Sequence, residues 1–182
     1  MRFCSLANYN FKERLMKPIA EMTPAMAADG FARSYSCAQL VFSHFAEALG
    51  IDPALARRVA APFNGGMGRC ETCGCYTGGL MALGARFGSC TDNDKQSRKV
   101  VARKRAAFEA AFKEAAGALN CRDLLGCDIT TDAGRKTFKD EKLSQKVCVP
   151  LVSRTCAILV PLLDEDEPST AEAQTGEAAA RR

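Results

Sequence analysis

No run in this chain approaches the roughly 20 apolar residues that a membrane-crossing helix needs. The N-terminal stretch from Met1 to Met22 carries Arg2, Lys12, Glu13, Arg14 and Lys17, and it has none of the apolar core of about 7–15 residues that marks a secretory signal. These absences set the expectation of a cytoplasmic protein with no transmembrane segment. Strand-like alternation is nearly absent too, which excludes a sheet-based fold. A single histidine, His44, cannot supply a histidine-rich metal site and reads as a surface or packed residue. The Cys-x-x-Cys-His pattern of covalent haem attachment does not occur, so no haem is expected. The densest basic cluster, Lys95, Arg98, Lys99, Arg103, Lys104 and Arg105, has no interleaved aromatics and reads as the wet side of a helix rather than a nucleic-acid surface.

What the chain does have is cysteine, ten residues spread from Cys4 to Cys156. A chain of 182 residues with 47% apolar composition is long enough to bury one core, and far larger than the small secreted scaffolds that depend on disulfides. Reduced thiols or metal ligands are therefore expected, and a pervasive set of disulfides is not. The net charge is +4, but residues 1–163 hold 23 basic against 15 acidic side chains, a net +8. The balance is reversed in the acidic stretch from Asp164 to Arg182. That stretch lacks aromatic and branched aliphatic residues, so it has nothing with which to offset the entropy of ordering. The domain reading is an N-terminal helical extension over 1–30, one helical domain over 31–163 and a disordered acidic tail over 164–182.

The body shows helical period repeatedly. Ala38, Val41, Phe42, Phe45 and Leu49 fall on one face after Ser36, which with Gln39 fits a capping box, and Gly50 fits a stop. Asp52-Pro53 opens a second helix that ends before Pro62. After the glycine-rich turn Asn64–Gly68, Thr72 is expected to cap a third helix running to about Phe87, with Leu80, Leu83 and Phe87 as its apolar stripe. The turn is no phosphate cradle, since neither the following Lys-Ser/Thr nor the preceding strand is present. A fourth helix from about Ser97 to Leu119 presents Val101, Phe108, Phe112, Ala115 and Leu119. A short one runs from Asn120 to Gly126, and a last one from Pro150 presents Leu151, Thr155, Ile158, Leu159 and Leu162. Residues from Phe3 to Ala28 add an N-terminal helix interrupted by Pro18 and Pro24. The fold class is an all-α, single-domain bundle.

Three cysteines directly follow a capping residue, in Ser36-Cys37, Thr72-Cys73 and Asn120-Cys121, and Cys148 lies two residues before Pro150. Unpaired N–H groups and the positive end of the helix dipole favour an anion there. For cysteine that anion is the thiolate, the form that attacks disulfides and binds metals. Cys70-x-x-Cys73 has the spacing of dithiol redox sites and of half a zinc or iron–sulfur site, but no second such pair follows. In the third helix Gly74, Gly78, Ala82 and Ala85 share a face nearly without bulk. Interior glycines cost a helix about 1 kcal/mol each relative to alanine. Close approach of a neighbouring helix or of a cofactor is the expected compensation.

These motifs together resemble the C-GCAxxG-C-C family of redox-active proteins over about Phe31 to Leu163. The likeness rests on Cys37-Ala38-Gln39, on the glycine turn from Phe63 to Arg69, and on a Cys-Gly-Ala-x-x-Gly motif read onto Cys73-Gly74-Cys75-Tyr76-Thr77-Gly78. It is completed by Cys121 to Gly126 and by Cys148. Cys75 stands where this reading of the motif has alanine, and Cys70 is an additional thiol. The resemblance extends to a domain of a two-haem cytochrome that also holds an iron–sulfur centre, which brings in the cluster option.

Three readings follow. In the first, Cys37, Cys73, Cys121 and Cys148 converge where helix N-termini meet, with Gly74 and Gly78 beside them, and bind an iron–sulfur cluster, or less readily zinc, for electron transfer. In the second, Cys70, Cys73 and Cys75 carry metal-free thiol–disulfide chemistry, with Cys37 able to exchange with them. In the third, the bundle is an interaction module or a subunit of a redox complex, its cysteines acting as small apolar residues. That last role is expected of Cys4, Cys90, Cys127 and Cys156. An oxidoreductase or electron-transfer role, a redox partner protein and a homodimer are compatible with the first two readings.

Overall fold

Caps and prolines start most of the helices. The computed structural model describes residues 19–164. Helix α1, Pro24–Ala32, begins with proline at its first position and takes a cap from the Thr23 hydroxyl, which accepts from the Met26 N–H. Of the expected N-terminal helix, the portion before residue 19 lies outside the described residues, and within them helix begins at Pro24. Helix α2, Cys37–Ala46, has the full capping box between Ser36 and Gln39. It ends in a Schellman motif, with Ile51 N–H donating to Ala46 C=O, Gly50 N–H donating to Glu47 C=O, and Gly50 at φ +71°. Asp52 caps α3, Pro53–Ala60, through the Ala54 and Leu55 N–H groups.

The third long segment departs from its expected start. Helix α4 is Gly74–Phe87, and its N-cap is Cys73 rather than Thr72. Thr72 is taken up in an isolated antiparallel bridge with Asn120, so its backbone is extended and its hydroxyl makes no cap. Helix α5, Lys95–Ala116, is capped by Asp94 through the Ser97 N–H. Its buried face is Val100, Lys104, Phe108 and Phe112. Val101 is only half-buried and Ala115 is exposed, because the stripe is read one residue off at each end: Val100 is buried and Ala116 packs on the core, and buried Lys104 disguises the period between them. Helix α6, Cys121–Leu125, ends at Gly126 with φ +66°. Helix α7, Asp132–Asp140, was not legible, since Phe138 is its one large apolar residue; Thr131 caps it through the Gly134 N–H. Helix α8, Val149–Asp164, follows without a break from a π-type turn over Ser144–Cys148. The acidic stretch after Asp164 lies outside the described residues.

The bundle is all-α, with no strand among the described residues. Helix α4 lies at its centre and packs on α2, α5 and α8, while α1 packs on α8 and α3 on α2. Gly74 and Gly78 explain the α2–α4 approach. A Cβ on Gly74 would stand 3.0 Å from the Ala38 nitrogen and 3.1 Å from the Cys37 Cβ, and one on Gly78 would stand 2.8 Å from the Ala38 oxygen. The bare face is therefore filled by α2 backbone and leaves no room there for a cofactor. Ala85, expected on that face, is exposed. On another side of α4, Tyr76 stacks on Phe108 at 5.2 Å, and its hydroxyl donates to Glu109 at 3.1 Å.

Lys104, only 1% exposed, donates from Nζ to the Leu162 carbonyl at 3.0 Å and lies 4.9 Å over the Phe87 ring. The helical run Ser144–Asp164 has the length and apolarity of a membrane span. Its buried side, with Val152, Thr155, Cys156 and Leu159, is part of the bundle core. A second, smaller apolar cluster of Cys70, Cys121, Leu125 and Leu143, with Cys127, Phe138 and Cys148 packed against it, lies apart from the main core.

A five-thiol candidate site between two cores

The seam between the two apolar clusters is where the sulfurs gather. Cys37, Cys73 and Cys75 belong to the main core, and Cys121 and Cys148 to the smaller one. Two devices bring them together. The close contact of α2 on Gly74 sets Cys37, first residue of α2, against the start of α4. The bridge between Thr72 and Asn120 is flanked by Cys73 N–H donating to Leu119 C=O at 2.8 Å and Cys121 N–H donating to Glu71 C=O at 2.6 Å. That clamp holds Cys73 across from Cys121, although 48 residues separate them in the chain.

The result is a chain of thiols. Cys148 and Cys75 act on the Cys37 sulfur, and Cys121 and Cys75 act on the Cys73 sulfur. S–H donation from Cys148 and then Cys75 stabilises the Cys37 thiolate against burial and against the nearby Cys73 charge, and it lowers the Cys37 pKa to about 5. Cys73 is held well below the ordinary cysteine value by Cys121 and Cys75. The N–H groups of Cys75 and Tyr76, in the first turn of α4, add to this. No capping hydrogen bond of ordinary geometry forms at Cys73, so those N–H groups act on its sulfur as dipoles. The three donors shift the other way: Cys75, Cys121 and Cys148 are all raised, first because their protons are held by Cys37 or Cys73. Cys75 has one proton for two acceptors, so it serves Cys37 or Cys73 at any instant and never both.

The site thus differs from a meeting of four helix N-termini. Cys37 and Cys121 are first residues of α2 and α6, and Cys73 is the N-cap of α4. Cys148 lies inside the continuous run Ser144–Asp164. Cys75, fully buried, joins the two halves. Among the described residues no three His, Cys, Asp or Glu side chains are arranged to hold a metal ion.

The remaining cysteines divide. Cys70 is buried in the smaller core beside Cys121, its Sγ 3.6 Å from the Cys127 carbonyl oxygen. Cys156 is core, and burial pushes its thiol up to about 12. Cys90 departs from the expected core-filling role, being exposed and disulfide-bonded, while Cys4 lies outside the described residues. The other eight are free thiols. His44 is half-buried, with Nε2 unpartnered and its ring edge-on to Phe45, and it reaches no cysteine. The sequence offered no signal for the bridging role of Cys75 or for the partnership of Cys70 with Cys127. Both depend on contacts between distant segments.

No curated protein and no solved structure matches the chain. A family model described as "Putative redox-active protein (C_GCAxxG_C_C)" matches residues 35–162. Taken letter by letter, Gly-Cys-Ala-x-x-Gly falls on Gly74 to Gly79 with Tyr76 in place of alanine, whereas Cys-Gly-Ala-x-x-Gly falls on Cys73 to Gly78. The geometry needs no choice, because Cys73 and Cys75 are both in the thiol chain. With its match over most of the chain and its cysteines joined in one site, this protein belongs to the C_GCAxxG_C_C family of redox-active proteins.

Proposed function

We propose that the protein is a thiol–disulfide redox protein whose working group is the five-cysteine chain. The observation that supports this best is that two sulfurs, Cys37 and Cys73, are held toward the thiolate while each contacts two protonated thiols. A thiolate with a thiol beside it is the minimal machinery of exchange. The thiolate attacks one sulfur of a substrate disulfide and releases the other as a thiol. The neighbouring thiol then attacks the mixed disulfide, closing an internal disulfide and freeing the second product. Cys37, half-buried, is the accessible attacker, with Cys75 or Cys148 to resolve. Cys73 and Cys121 form a second, buried pair. The internal disulfide stores two electrons' worth of oxidation, and a dithiol partner returns it to the reduced state.

A second reading, an iron–sulfur cluster or a zinc ion bound for electron transfer, is favoured by the number of converging thiols and opposed by the lack, among the described residues, of three ligating side chains arranged for one ion. A bound cluster would supply one-electron chemistry. One experiment separates the two. Protein purified anaerobically is analysed for iron and zinc, then titrated with glutathione disulfide and mapped by acid quenching, alkylation and peptide mass spectrometry. We expect substoichiometric metal and disulfides joining members of the five. Stoichiometric iron or zinc, with the five cysteines protected from alkylation until the metal is chelated, would overturn the thiol reading.

A further inference from the structure

Cys70 has an unusual backbone. It sits at φ +56°, the left-handed region that side chains other than glycine rarely occupy, at the end of a loop in which Gly65, Gly66, Met67 and Gly68 also have positive φ. Such a conformation persists only where the surroundings impose it. Here they do: Arg122 donates from Nε to the Cys70 carbonyl at 3.2 Å and from Nη2 to the Arg69 carbonyl at 3.0 Å, while Glu71 N–H closes the loop on Gly66 C=O at 3.3 Å. The posture aims a fully buried sulfur at the backbone of Cys127, two bonds from its α-carbon. Cys127 is half-buried, its Sγ 3.7 Å from the Gly134 carbonyl. Cys70 and Cys121 share the smaller core, with Cys127 packed against it, and the Cys70 charge is felt at both Cys121 and Cys127.

We infer that Cys70 and Cys127 form a second dithiol, which takes a disulfide from the Cys73–Cys121 edge of the five-thiol chain and presents it at the surface. The inference rests on the thiol–disulfide reading of that chain. The transfer balances without any outside oxidant. The Cys70 thiolate attacks the Cys121 sulfur of a Cys73–Cys121 disulfide and Cys73 leaves as a thiolate; the Cys127 thiol then attacks Cys70, and Cys121 departs with the proton. One disulfide has moved and two thiols have been recovered. The direction of the first step follows from the packing, since Cys70 shares the smaller apolar core with Cys121 while Cys73 lies in the main one. The transfer also has a spatial purpose. Cys73 and Cys121 are 3% and 7% exposed, too buried to meet a partner's thiol directly, whereas Cys127 is only half-buried.

The test is single-turnover mapping of the full chain. Fully reduced protein receives less than one equivalent of glutathione disulfide, is quenched in acid at intervals, and is alkylated and mapped. In the wild type we expect a Cys73–Cys121 linkage that gives way to Cys70–Cys127 as the main final product. In Cys127→Ser, checked for folding by circular dichroism, the disulfide should stay on Cys121, joined to Cys73 or Cys70, at a level at least tenfold above the wild type. Cys127→Ala provides the same readout should the serine variant fold poorly. A wild type that ends with Cys73–Cys121 oxidised and with Cys70 and Cys127 alkylated overturns the transfer and leaves the five-thiol reading standing. Failure to find any disulfide within the five cysteines, in the wild type or in Cys127→Ser, overturns that reading and the transfer with it.

Discussion

Replacing Cys75 by alanine takes away the thiol that touches both thiolates and leaves Cys148 on Cys37 and Cys121 on Cys73. A hydrogen bond to a charged group contributes about 1.5–3 kcal/mol. One proton divided between two acceptors gives each about half of that, roughly 0.75–1.5 kcal/mol, and at about 1.36 kcal/mol per pH unit the ionisation of each should move upward by about half to one pH unit. Desolvation is unchanged to first order, because the replacement is also apolar. Cys75 is fully buried, so the lost sulfur leaves a small void that costs on the order of 1 kcal/mol of stability. The assay is the pH dependence of iodoacetamide alkylation, read peptide by peptide by mass spectrometry from about pH 4 to 9. In the wild type the Cys37 midpoint should lie near the value of about 5 that its donors impose. In Cys75→Ala both midpoints should rise together. A rise at one residue with the other fixed would refute the shared proton, and no rise at either would refute the hydrogen-bonded chain itself.

Three further outcomes are expected. Gly78→Ala gains about 1 kcal/mol of helix propensity, but its Cβ would stand 2.8 Å from the Ala38 carbonyl oxygen and 3.1 Å from the Ala38 Cα, both backbone atoms that cannot rotate away. Overpacking of about 1–3 kcal/mol should win, so a urea unfolding midpoint higher than the wild type's would contradict the close approach of α2. Lys104→Met keeps the stem in place but leaves the Leu162 carbonyl without the Nζ donor at 3.0 Å, and should cost about 1–3 kcal/mol by urea unfolding; an unchanged midpoint would argue against that bond. The pH dependence has a fixed sign. Cys37 has its folded pKa lowered from 9.0 to about 5, so its contribution to stability is complete above the unfolded value and is lost as pH falls toward 5. The stability difference between wild type and Cys37→Ser should therefore shrink between about pH 9 and pH 5, and a difference that grew on acidification would be incompatible with a stabilised thiolate.

The parts of the fold that the sequence disclosed are those set by neighbours in the chain. Ser36 with Gln39, Asp52 with Pro53, and Gly50 each specify a local hydrogen bond or a backbone angle, and each sits in the structure as read. The failures have equally local causes. Thr72 has the chemistry of a cap, but a pairing with Asn120 claims its backbone first. Lys104 is buried because its ammonium reaches a carbonyl near the end of α8, a partner 58 residues away, so the apolar period of α5 is broken at a core position. Helix α7 buries so little that its pattern carries no period. At the site, the four cysteines of the motif were legible by position. That Cys75 connects them, and that Cys70 faces Cys127, became visible only once the bridge and the glycine contacts were known.

The glycines of α4 then acquire a role different from a cofactor cradle. Five sulfurs arrive from four separate segments, around residues 37, 73–75, 121 and 148, and no segment holds more than two of them. Their chemistry exists only while those segments stay within hydrogen-bonding reach, because moving a donor thiol away by a methyl group's breadth removes the interaction that keeps Cys37 and Cys73 ionised. Cys37 depends on α2, and α2 is located by backbone contact at Gly74 and Gly78, where no side chain can yield. Cys121 depends on two backbone hydrogen bonds flanking Thr72 and Asn120. Reactivity at this site is therefore controlled by main-chain packing more than by the identity of any one neighbour. A bulkier residue at Gly74 should raise the Cys37 pKa without touching a sulfur, by pushing the first turn of α2 away from Cys75.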